Sequence, residues 1–126
     1  GMQADELEIL ELAALTHDIG IKNAEMKYGY NNGRLQEQEG PPEARRLLRS
    51  LDVPEEVTDR VCYLVGHHHT YRNIDGIDYQ ILVEADFLVN LYEDKADGDT
   101  IKKAYGNIFV TESGKMLCRR LFLLEC

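Results

Sequence analysis

An imidazole and a carboxylate stand side by side in Ala13-Ala14-Leu15-Thr16-His17-Asp18-Ile19-Gly20, at the end of an apolar helical stretch. Neither group is tolerated in an apolar wall unless a donor, an acceptor or a cation satisfies it. Neighbours on a helix diverge by about 100°, so both side chains reach one ion only if it sits near the helix end, between them. Imidazole with carboxylate is a donor set for Mn, Fe, Co, Ni, Zn or Mg. Taken alone, the pair also fits a capping histidine beside a solvated aspartate. Two further features favour the ion.

The first is Asp86, in Leu82-Val83-Glu84-Ala85-Asp86-Phe87-Leu88-Val89-Asn90. Its neighbours one turn away are mostly apolar, so the carboxylate points at least partly inward and needs a cation or strong donors. Its own helix offers no basic residue before Lys95. The second is the internal run His67-His68-His69 after Val65-Gly66. His67 and His68, nearest the helix, are better placed as ligands than His69. Glu39, ahead of Gly40-Pro41-Pro42, reads first as a partner of a helix N-terminus, with a second-metal ligand or general acid as the catalytic alternative. Lys22, Lys27, Arg34 and Arg72 are the cations of the flanking loops. Lys22, four residues past Asp18, is the best candidate to hold a phosphate, with Arg72 as a second substrate-binding group.

The periodicity is helical throughout. A first helix spans about Ala4 to Ile19, with Leu7, Leu10, Ala14 and Leu15 at core spacing and Gly20 as its stop. The polar stretch from Lys22 to Gly40 reads as a functional loop or a short helical turn near Ala24–Lys27. Pro41-Pro42 opens a second helix through Leu51. Asp52 caps a third, which has Glu55 and Glu56 in its first turn and His67 near its end. A loop over His69 to Asp78 precedes a helix from about Tyr79 to Asp94, whose inner face is Leu82, Ala85, Val89 and Tyr92. Asp99 or Thr100 caps a short helix at Ile101–Tyr105. Thr111 opens the last, with Met116, Leu117, Leu121, Phe122 and Leu124 as its apolar residues.

At 126 residues the default is one compact domain. The net charge of −9 argues against a sequence-independent grip on DNA or RNA. It leaves room for a small phosphorylated substrate, since a bound metal supplies local positive charge. The three cysteines, Cys62, Cys118 and Cys126, lack CxxC spacing and read as reduced thiols of a cytoplasmic protein. No apolar run approaches the ~20 residues of a membrane span, and no signal peptide is visible.

Taken in order, His17-Asp18-Ile19-Gly20, the histidines at 67–68 and Ala85-Asp86 resemble the HD-domain metal-dependent phosphohydrolases. The resemblance covers roughly residues 5 to 95. The Glu39-Gly40-Pro41-Pro42-Glu43-Ala44 segment is similar to the family's helix entry, with Glu39 where some members place a metal-binding histidine. The family implies an all-α helical bundle, here of about five to seven helices, around one or two divalent ions. Carried over, His17, Asp18 and Asp86 are ligands, and His67 and His68 match the added ligands of two-metal members. The implied activity is hydrolysis of a phosphate ester, a small nucleotide or related metabolite. Asp18 orients the attacking water and Lys22 neutralises charge on the phosphate.

Two departures stand out. Lysine follows the HDIG run directly in many members, whereas here Ile21 intervenes before Lys22. The family's early histidine has no counterpart among the sixteen residues ahead of His17. The expectation is therefore a single HD-type domain over 1–126 lacking its N-terminal helix, with a weaker three-ligand site. Its uncovered apolar face would be closed by homodimerisation. The alternative to an active enzyme is a catalytically impaired HD-fold module for ligand binding or dimerisation. A di-iron oxygenase in the same fold is a third reading.

Overall fold

The structure, a computed structural model, describes residues 4–122. These form seven helices with no strand among them, as the all-α reading expects. The chain divides into two compact units, residues 1–73 and 74–126.

In the first unit, α1 (Ala4–Thr16) and α3 (Gly33–Ser50) both pack against α4 (Glu55–Val65), and α2 (Ile21–Tyr28) packs against α3. The inner face of α1 is Ala13 and Thr16, flanked by half-buried Ile9 and Leu10. Leu7, Ala14 and Leu15, expected inside, are exposed. Apolar residues recur all round this helix, so its pattern alone does not choose a stripe. The methyl of Ala13 leaves little bulk at the seam.

The segment read as a loop between Lys22 and Gly40 is mostly helical. α2 ends at Gly29, whose φ of 80° is left-handed. α3 then begins at Gly33, where the Asn32 side chain accepts from the Leu35 N–H at 2.9 Å. Pro41 and Pro42 therefore lie inside α3 rather than opening it. They remove the donors that Glu37 and Gln38 carbonyls would meet. The helix persists because Leu35, Gln36, Glu39, Gly40, Ala44 and Leu48 bury one continuous stripe through them. Its turn against α2 is close: a Cβ on Gly20 would lie 2.6 Å from the Gly40 backbone nitrogen.

Asp52 does not cap α4. It ends α3, with φ of 59°. Its N–H donates to the Arg49 carbonyl, and that of Val53 to Leu48, the bonding pattern of a Schellman terminus. Pro54 stands at the cap position of α4 and provides no side-chain cap.

The second unit holds α5 (Ile77–Glu93), α6 (Gly98–Asn107) and α7 (Glu112–Phe122) around Leu91, Ile101, Ala104, Phe109 and Cys118. The cap of α6 is Asp97, not Asp99 or Thr100. Its carboxylate accepts from the Thr100 N–H at 2.8 Å. This bond, to backbone and hydroxyl of Thr100, holds the Asp97 carboxyl below the usual aspartate range.

Thr111 does cap α7, its hydroxyl accepting from the Gly114 N–H. On α5 the expected inner face is only partly inside. Leu82 is buried, but Ala85, Val89 and Tyr92 are exposed. Val83, Glu84, Asp86 and Leu91 are buried instead. Glu84 is the reason the helix turns this way. Its carboxylate accepts from Gln80 Nε2, the Val110 and Thr111 N–H groups and the Thr111 hydroxyl. Leu124, expected on the apolar face of α7, lies outside the described residues.

Candidate metal centre

The C-terminal ends of α1 and α4 meet. His17 and Asp18 sit in the turn just beyond α1, and His67, His68 and His69 in the turn just beyond α4. The His17 and His68 rings lie edge to face with centroids 5.2 Å apart.

Backbone carbonyls set the state of three of these rings. His17 Nδ1 lies 2.8 Å from the Ala14 carbonyl oxygen, His67 Nδ1 2.6 Å from Tyr63, and His68 Nδ1 2.7 Å from Val65. A carbonyl only accepts, so Nδ1 carries the hydrogen in each, and the lone pair of the neutral ring is at Nε2. Asp18 stands between two of these nitrogens. Its Oδ2 is 3.3 Å from His17 Nε2 and its Oδ1 3.8 Å from His68 Nε2. Two lone pairs beside a carboxylate repel unless positive charge, a proton or a metal ion, lies among them. Imidazole and carboxylate are donor types that could hold a first-row divalent ion.

The burial is graded across the set. His68 is fully buried, whereas the Asp18 side chain is 52 % exposed. Asp18 thus opens the site to solvent. With Lys22, Glu25, Ile19, Ile21 and Met26 it lines an open groove of about 670 Å³.

His69 is held differently. Its Nε2 donates to Gln36 Oε1 at 2.6 Å, and its Nδ1 accepts from the Tyr71 hydroxyl at 3.3 Å. Gln36 in turn donates to Asn31. Glu37 accepts from the His69 N–H and the Thr70 hydroxyl. The first turns of α3 thus clamp the histidine turn, and neither Gln36 nor Glu37 was expected there. The signal that finds them is the Asn32 cap, which starts the helix ahead of both residues.

His67 stacks on Tyr63 with centroids 4.0 Å apart. Glu39 is not at a helix mouth. It is buried within α3 and bonded to Lys27 Nζ at 2.6 Å. That hydrogen bond and charge raise Lys27 above the ordinary lysine range. Arg34 and Arg72 are exposed, on α3 and in the loop after α4. Asp86 belongs to the second unit, buried on α5. Cys62 and Cys118 are free and buried, and burial pushes both thiols up.

No helix among the described residues is long and apolar enough to cross a membrane. Compared with known proteins, the chain matches no family model, no curated protein and no solved structure.

Proposed function

We propose that the chain is a divalent-metal-dependent hydrolase of phosphate esters, of HD-domain type, acting in the cytoplasm on a small nucleotide or related phosphorylated metabolite. The observation that carries this reading is the Asp18 carboxylate bracketed by two imidazoles whose tautomers are fixed by backbone carbonyls. In it His17, Asp18 and His68 hold the ion. When bound, the ion supplies activation of water and polarisation of a phosphoryl oxygen. Asp18 orients the attacking water, and Lys22, on the same groove, binds the phosphate. Asp86 and His67 join as ligands, and Arg72 as a substrate-binding group, from the sequence reading. Glu39, engaged by Lys27, is the weakest of the catalytic assignments.

The test is calorimetric titration with Mn²⁺, Co²⁺ and Ni²⁺, followed by assay of a generic phosphomonoester. Binding with turnover is expected, and Asp18→Ala abolishes the turnover. His68→Gln weakens metal binding by at least about tenfold. A chain that takes up none of these ions at micromolar excess is not this enzyme. Full metal affinity in Asp86→Asn removes that residue from the ligand set.

The exposure of Val89, Tyr92, Leu117 and Leu121 favours a second reading, an HD-fold dimerisation module without turnover. It predicts self-association with no phosphate release.

A further inference from the structure

α7 has two apolar sides. One is buried in the second unit through Gly114 and Cys118. The other carries Met116, Leu117 and Leu121, all exposed. These apolar side chains share the outer surface of α7 with Glu112, Ser113 and Arg120. The outer apolar side continues across α5 as a groove of about 330 Å³ lined by Leu88, Val89, Tyr92, Glu93 and Leu121. Tyr92 is 71 % exposed and Leu121 55 %. Contiguous surface of this kind marks an interaction site.

The charges on this face select the occupant. The exposed residues of α7 run Glu112, Ser113, Met116, Leu117, Arg120, Leu121. An acid stands at one end, a base at the other, and the apolar residues lie between. A second α7 laid antiparallel across a two-fold axis between Met116 and Leu117 sets Met116 of each copy against Leu117 of the other. It sets Arg120 beside Ser113 and within reach of Glu112. A two-fold contact requires one patch to complement itself, and this arrangement of charges does so. A parallel pairing would set Arg120 against Arg120.

We propose that the outer face of α7, with the adjoining α5 groove, is a homodimer interface that seats a second copy of this chain antiparallel to the first. The proposal is independent of the metal site.

Sedimentation velocity on the full chain, over a concentration series, tests it. A dimer at micromolar concentration is expected. Leu117→Glu should weaken it by at least about thirtyfold, as for a central apolar contact. Arg120→Glu alone, or Glu112→Arg alone, places like charges together and should weaken it by about tenfold. The double swap Glu112→Arg with Arg120→Glu should recover most of that loss. Thermal melts of each variant separate interface effects from unfolding, since the swap also alters the charges at the ends of α7. A chain that stays monomeric throughout overturns the proposal. So does a dimer indifferent to Leu117→Glu, or single charge reversals that the double swap fails to rescue.

Discussion

A single carboxylate shows how local the determinants of this fold are. Asp97 accepts from the Thr100 N–H and caps α6, and the bond favours its charged form. A carboxyl whose pKa is lower folded than unfolded adds stability above the unfolded value, and that stability is lost as pH falls through the folded one. The window lies at and below the ordinary aspartate value of about 3.9. Asp97→Asn keeps an oxygen acceptor but no ionisation. Melting temperature measured from pH 6 down to pH 2 should therefore fall less steeply in the variant. Parallel curves would show that the cap makes no contribution linked to its charge.

At the scale of elements, α7 is fastened by a residue from another helix. Glu84, 2 % exposed, accepts from both backbone N–H groups entering α7 and from its capping hydroxyl. Glu84→Ala leaves those part-buried donors without this acceptor, at a cost of about 1–3 kcal/mol. Urea unfolding should show that loss, and hydrogen exchange should show α7 losing protection first. Retention of α7 protection would mean that Thr111 alone suffices.

Nothing in the pattern of α5 ranks Glu84 above Asp86, for both are acids in an apolar run, and only the packing of the 108–111 segment shows what Glu84 binds. The prolines misled in a similar way. Local rules put a helix start at Pro41, but the Asn32 cap and a buried stripe running through the prolines outweigh two missing donors. Helix existence was legible outside the 22–40 stretch, because 3.6-residue spacing survives such local conflicts; in that stretch α2 and the first turns of α3 read as loop. Helix faces were not legible in α1 or α5, where apolar residues surround the axis.

At the scale of the molecule, the site was legible in part. His17 and Asp18 announce themselves by adjacency in a greasy segment, and His68 by its run. Their meeting depends on α1 packing against α4, which no short motif encodes, and the Gln36 and Glu37 clamp depends on a helix start hidden behind prolines.

The way α1 and α4 end together has an electrostatic consequence. Each C-terminus carries roughly half a negative charge from its aligned peptide dipoles. Two of them, plus Asp18, converge in a chain whose net charge is −9. Such a place attracts a cation. Phosphate should therefore bind in strict order, after the metal. Calorimetry with inorganic phosphate should give no heat on the chelator-treated protein and a clear isotherm once Mn²⁺ is added. Equal phosphate affinity in both states would mean that Lys22 and its neighbours dominate the field. If the proposed site holds a metal, the two helix ends would make that ion the condition for an anion to enter the groove.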